Sequence, residues 1–182
     1  QFGHNDQKDK SAGAGPFTTY KANLKHFVDS ARSKGGIPVL VTPMERRRFD
    51  KDGTQQATLS DYAEAVRQVG AEDKVPVIDL NAMSLKFYAA LGPEKSTKAF
   101  VHYPANTFPG KDKALSDDTH HNAYGSYELA RCVIEGIKTA KLDLVKDLAP
   151  DVKPFDPSQP DRPEAFAVPS TPIGKMEKPE GN

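Results

Sequence analysis

Two short and almost wholly apolar runs limit what this chain can fold into. Ile37-Pro38-Val39-Leu40-Val41-Thr42-Pro43 and Val75-Pro76-Val77-Ile78-Asp79-Leu80 are too short for core helices and are bounded by glycine, proline or charged residues. A strand with one wet face alternates apolar and polar residues; these runs do not, so they read as strands buried on both faces of a parallel sheet. Segments of helical spacing surround them. Tyr20, Leu24, Phe27, Val28 and Ala31 recur at intervals of three and four within Thr18 to Lys34, and Gly35-Gly36 stops the pattern. Leu59, Tyr62, Ala65, Val66 and Val69 define a second helix with Thr58 or Ser60 as its expected N-cap, and Asn81 to Leu91 a third. The last strong helix spans Ala123 to Thr139, with Leu129, Val133, Ile134 and Ile137 on its core face, and Leu142 to Leu148 forms a weaker helical turn.

Helices alternating with buried strands predict an α/β fold with a parallel sheet and helices on both faces. Two strands bury too little surface for an independent domain, and QFGHND begins with the residues expected at the end of a strand. The expectation is therefore that the first strands of the sheet lie outside this sequence. Residues 1–148 form the compact portion, and 149–182, APDVKPFDPSQPDRPEAFAVPSTPIGKMEKPEGN, form a proline-rich extended tail. With Phe155, Phe166, Val168 and Ile173 spaced among its prolines, the tail reads either as a strap packed along the domain or as a disordered linker.

Lys plus Arg and Asp plus Glu balance at 25 each, with no basic stripe interleaved with aromatics, so a nucleic-acid partner is not expected. No run approaches the about 20 apolar residues that span a bilayer, so no membrane partner is expected either. Cys132, in the helical pattern LARCVIEGIK, reads as a buried and inert thiol.

Chemistry concentrates in two clusters. Gly3-His4-Asn5-Asp6 sits where a strand would hand over to a loop. Ligand sites in open parallel sheets gather outside the carboxyl ends of strands, so a side-chain amide there can hold a developing negative oxygen. Gly, Asn and Asp are also ordinary turn formers, and a simple turn is the competing reading. The second cluster is Asp117-Asp118-Thr119-His120-His121-Asn122-Ala123-Tyr124-Gly125, read as a loop before the last helix. An aspartate three residues ahead of a histidine can reach one ring nitrogen, fix the tautomer and leave the other nitrogen to take a proton from a serine. Helix capping by Asp118, Thr119 or Asn122 is one alternative. Metal binding by Asp117, Asp118, His120, His121 and His102 is another, disfavoured because no helical H-x-x-x-H spacing is present.

Taken together, strand-end FGHND and the later D-D-T-H-H-N-A-Y-G resemble the third and fifth conserved blocks of the SGNH (GDSL-like) hydrolase superfamily, in the form most similar to the rhamnogalacturonan acetylesterase group of carbohydrate esterases. The resemblance covers Gln1 to about Leu148. It implies a three-layer α/β/α flavodoxin-like domain, a Ser-His-Asp mechanism, no cofactor or metal, and an acetylated plant cell-wall polysaccharide as substrate. It also implies export from the cell. Residue by residue, it makes Asn5 an oxyanion donor, His120 the general base and Asp117 its orienting carboxylate. The family's histidine precedes the glycine by five residues, and Gly125 points to His120; His121 and Asp118 become second choices.

The family's Gly-Asp-Ser block and its second block are absent from this sequence, and no G-x-S-x-G occurs. Ser11 and Ser116 are available hydroxyls, but nothing sets either on a sharp strand-to-helix turn. The expectation is that the nucleophile is not in this chain, being supplied by sequence absent here or by a separate N-terminal chain. The 182 residues alone are then expected to be nearly inert, since losing a triad serine costs on the order of 10⁶ in turnover. Other readings are another acyl-ester hydrolase of the superfamily, lipase-like in specificity, and a non-catalytic carbohydrate-binding module.

Overall fold

A computed structural model of the protein describes residues 1–167. Its elements run α1 (Lys21–Ser33), β1 (Leu40–Val41), α2 (Ser60–Glu72), β2 (Val77–Ile78), α3 (Leu80–Lys95), β3 (Phe100–Tyr103), β4 (Leu115–His121) and α4 (Ala123–Thr139). β1 and β2 pair in parallel, with Leu40 opposite Val77 and Val41 opposite Ile78.

Successive residues of a strand face opposite sides of a sheet, so Val77 and Ile78 report what lies on each face. Gly70 of α2 lies against the Val77 side chain, and Gly136 of α4 against that of Ile78, each so closely that a Cβ would overlap. Helix, sheet and helix are thus stacked in three layers, as the α/β reading expects. One apolar core gathers Tyr20, Leu24, Val28, Tyr62, Val66 and Val69 between α1, α2 and the parallel strands. The other gathers Phe87, Tyr88, Phe100, Tyr124, Leu129 and Cys132 between α3, α4 and β3. Burial pushes the Cys132 thiol up to about 12.

Two helix boundaries differ from expectation. Neither Thr58 nor Ser60 caps α2 with its side chain; Leu59 occupies the N-cap. The buried Glu45 carboxylate does the work instead, accepting from the Thr58 N–H at 2.7 Å, the Thr58 hydroxyl at 2.7 Å and the Leu59 N–H at 3.0 Å. A carboxylate at a helix N-terminus also faces the positive end of the helix dipole. Helix α3 continues past Leu91 to Lys95, but Gly92 breaks it with φ 72°.

The larger difference is a hairpin. β3 and β4 pair antiparallel where the sequence reads as loop, joined by residues 104–114. Beyond α4 the chain passes through a short 3-10 turn, Asp143–Asp147, and from there to residue 167 the described chain has no regular structure except at Pro163–Ala165. Phe155 is buried against α4, and Arg131 stacks 4.1 Å over its ring. Val168 and Ile173 of the expected strap lie outside the described residues. Among the described residues no helix is long and apolar enough to cross a membrane.

Candidate active site

The segment after β1 organises the site. Thr42 accepts from the Asn81 N–H at 2.8 Å, Asn81 donates to the Pro43 carbonyl and to Glu45, both at 2.9 Å, and the Ser84 hydroxyl accepts from the Glu45 N–H at 2.9 Å. These buried bonds fix residues 42–45 at the carboxyl end of the strand, where α/β sites lie. The next two residues, both arginines, each hold one cluster. Arg46 donates to the His4 carbonyl at 3.2 Å and to Gln7 Oε1 at 2.7 Å. Arg47 donates from its backbone to the Asp118 carbonyl and from its guanidinium to Asp118 Oδ1, both at 2.9 Å, and also reaches Ser96 and the Pro93 carbonyl.

In the first cluster the turn is made without the Asn5 side chain. Gln7 N–H donates to the Gly3 carbonyl at 2.9 Å, and the Asp6 carboxylate accepts from the Gly3 N–H at 3.0 Å. Asn5 is exposed; its Oδ1 accepts from Lys8 Nζ at 3.1 Å, and its Nδ2 donates to no acceptor among the described residues. The amide N–H groups therefore remain available for a ligand oxygen.

The second cluster is not a loop but the end of a strand with a wide bulge. Val101 pairs with Asp117 and Phe100 with His121, so Asp118, Thr119 and His120 have no residue opposite. Such a bulge bends the strand and re-aims its side chains. Asp117 closes it. Its Oδ1 accepts from the Thr119 N–H at 2.7 Å and the His120 N–H at 2.9 Å, and its Oδ2 lies 2.7 Å from His120 Nδ1. Desolvation would raise this carboxyl, but the bonds from His120 and Thr119 outweigh it and hold the group at about 2. The imidazole that Asp117 orients is 77% exposed, so Nε2 is open to a reacting group.

The other candidates separate from this pair. Asp118 is engaged by Arg47 and, at 2.8 Å, by His102 Nε2. His121 turns inward, its Nε2 2.7 Å from the Tyr88 hydroxyl and its ring 4.2 Å from that of Phe100. Burial first, then the neighbouring His4 and His120, depress His121 to about 4. Adjacent residues of β4 thus divide into a solvent-facing and a core-facing histidine. The groups proposed as metal ligands are spread over three separate pairings, and no cluster of three or more such ligands occurs among the described residues. Ser11 bonds to Asp9, and no serine hydroxyl among the described residues is hydrogen-bonded to His120.

The sequence names His4 only as a member of the first cluster and Tyr88 only as part of the third helix, with no role for either, and it does not point to Glu45 or the two arginines. His4 is depressed to about 4 by burial and then by Arg46, and its Nε2 is buried with no partner among the described residues. Only the Arg46-Arg47-Arg48 run directly after a buried strand offered a signal.

Residues 1–126 match the GDSL-like Lipase/Acylhydrolase family. The chain is 43% identical over 144 residues to rhamnogalacturonan acetylesterase RhgT of Bacillus subtilis, covering 79% of this chain and 61% of that protein. It is 35% identical over 150 residues to a probable rhamnogalacturonan acetylesterase, YesY, of the same organism, covering 81% of this chain and 64% of that one. The chain thus spans less than two thirds of the length of these relatives. The crystal structure of the Bacillus subtilis protein YxiM is similar with a TM-score of 0.61 at 25% identity, covering 79% of this chain and 36% of that one.

Proposed function

The chain belongs to the GDSL-like lipase/acylhydrolase family, and we propose that the complete protein is a carbohydrate esterase that removes acetyl groups from a rhamnogalacturonan-like polysaccharide. The observation that carries this reading is the 2.7 Å contact between Asp117 Oδ2 and His120 Nδ1 on the bulge of β4. A carboxylate so placed holds the proton on Nδ1 and leaves Nε2 as the base. In the proposed reaction a serine from outside these 182 residues attacks the acetyl carbonyl while its proton passes to His120 Nε2. Asn5 Nδ2 donates to the oxyanion of the tetrahedral intermediate, an interaction worth about 3 kcal/mol in comparable sites. Collapse expels the sugar alkoxide, which takes the proton back from His120. Water, activated by the same Nε2, then releases acetate from the acyl-serine. Asp117, held at about 2, stays ionised throughout the neutral range and stabilises the imidazolium formed in each half-reaction.

Acetate release by the complete protein from an acetylated rhamnogalacturonan oligosaccharide tests this, alongside fluorophosphonate labelling located by mass spectrometry. Release of acetate with a labelled serine outside residues 1–182 is the expected result. Cleavage of long-chain acyl esters in preference to the oligosaccharide would replace it with a lipase-like activity. Binding of the oligosaccharide without hydrolysis or labelling would leave a non-catalytic module.

A further inference from the structure

Beside the hairpin that carries Asp117 and His120 lies an open cavity of about 370 Å³, bordered by Lys98, Tyr103, Asn122, Tyr124, Glu164 and Phe166. Its size falls within the range of clefts that take small ligands. Tyr103 pairs with Leu115 and Val101 with Asp117, two residues apart along each strand. Residues two apart on a strand, and their direct cross-strand partners, share a face, so Tyr103 projects on the Asp117 side of the hairpin. The cavity therefore flanks the face of β3 and β4 that carries Asp117, whose carboxylate holds His120 at 2.7 Å, and Asn122 is only two residues beyond His120.

Its opposite wall comes from the extended segment after α4. Tyr124 donates to the Asp161 carbonyl at 2.6 Å, Arg131 bonds Asp161 Oδ2 at 2.8 Å, and the Phe166 ring meets Tyr124 at 5.7 Å and Tyr127 at 5.2 Å. These contacts fix Pro163, Glu164 and Phe166 over the start of α4. The wall lies beyond the residues 1–126 that match the family.

The polar groups of the cavity divide by use. Asn122 is consumed by structure, donating to the Lys98 and Phe100 carbonyls at 2.6 and 3.1 Å and accepting from the Gly125 N–H at 3.1 Å. The Tyr124 hydroxyl is committed to Asp161. The Lys98 ammonium, the Tyr103 hydroxyl and the Glu164 carboxylate, by contrast, have no hydrogen-bond or ion-pair partner among the described residues, although Lys98 and Glu164 border the same cavity. A pyranose presents an apolar face of C–H groups and a rim of hydroxyls that both donate and accept. Aromatic rings suit the face; an ammonium, a phenol and a carboxylate suit the rim.

We propose that this cavity is a sugar subsite that binds a ring of the polysaccharide adjoining the acetylated residue, with Lys98, Tyr103 and Glu164 as its polar contacts and the Tyr103 and Phe166 rings as its apolar ones. This rests on the carbohydrate-esterase reading for its substrate, and the strap supplies part of the specificity for it.

The test uses the complete protein and its Lys98→Ala/Glu164→Gln double variant, two exposed positions whose change leaves the core intact; circular dichroism checks that. Calorimetric binding of a deacetylated rhamnogalacturonan oligosaccharide should weaken about tenfold or more in the variant, the loss expected for two hydrogen bonds to charged groups. The ratio of kcat/KM for the acetylated oligosaccharide to that for p-nitrophenyl acetate, which has no sugar, should fall by a similar factor. Equal binding and an equal ratio in both proteins overturn the subsite while leaving the esterase standing. If the unmutated protein hydrolyses neither ester, the esterase reading fails, and the binding comparison alone decides the subsite: equal affinity, or no binding by the unmutated protein, overturns it.

Discussion

The Tyr88 hydroxyl and His121 Nε2 stand 2.7 Å apart, and that contact puts two neighbouring histidines in different environments. Tyr88 is fully buried, so His121 is drawn into the core between it and Phe100 while His120 faces solvent from the bulge. His120→Ala in the complete protein should lower kcat by about 10⁴ to 10⁶, since triad members act as a unit. His121→Ala should lower stability by about 2 to 4 kcal/mol through the cavity it leaves, with a much smaller loss of kcat per folded molecule. Urea unfolding and steady-state kinetics on both variants separate the two effects. Equal losses of kcat would return His121 to candidacy.

Asp117 does two jobs with different oxygens. Its Oδ1 closes the bulge by accepting two backbone N–H groups, and its Oδ2 holds the His120 ring. Asp117→Asn keeps an oxygen for the bulge but turns an amide donor toward Nδ1, which favours the wrong tautomer. The expected result is a kcat reduced by about 10⁴ with KM little changed, the size seen when a triad carboxylate is amidated. A loss below tenfold would mean that His120 does not depend on this carboxylate for its orientation.

The helices were legible because their apolar residues repeat with the helical period, and the two strands of the parallel pair because each lies in a short, nearly continuous apolar run bounded by glycine, proline or charged residues. The hairpin was not. Leu115–His121 carries one aliphatic residue in seven, and its burial alternates between intermediate and exposed, so no apolar stripe announces it. Phe100–Tyr103 is only four residues long and follows directly on a helical turn. Asp117, Asn5 and His120 could be named from local spacing and resemblance. The Glu45 cap and the Arg46 and Arg47 clamps could not, because they join residues far apart in sequence through side chains with no periodic signature.

Stability should fall in mild acid. Burial holds His4 and His121 near 4, against an ordinary value of 6.5, so the unfolded chain takes up protons at these positions before the folded protein does. Their contribution is fully present above pH 6.5 and is lost as the pH falls toward about 4. His121→Gln retains an acceptor for the Tyr88 hydroxyl and cannot titrate. Urea midpoints measured between pH 6.5 and 4 should therefore change less steeply in His121→Gln than in the unmutated protein. Parallel slopes would mean that His121 takes up its proton over the same pH range in the folded and unfolded chains, so that burial does not depress it.

Gly125 tests how closely α4 must approach the site. A Cβ there would overlap the Ala99 carbonyl and crowd His121 Cδ2, both at the root of the hairpin. The first turn of α4 is pinned to the same place, for Asn122 N–H donates to Ala99 O at 3.2 Å and the Asn122 side chain caps the helix through Gly125 N–H. Gly125→Ala cannot be absorbed by a flexible side chain, because the obstacle is backbone. The helix has to shift, and His121 and the bulge shift with it. The expected cost is about 1 to 3 kcal/mol in stability, accompanied by a fall in kcat that exceeds the fall for Gly136→Ala, which crowds Ile78 on the sheet instead of the hairpin. Comparing the two variants by thermal melts and kinetics distinguishes a general packing loss from one transmitted to His120. If both lose stability and neither loses kcat, the position of α4 does not govern the geometry of the dyad.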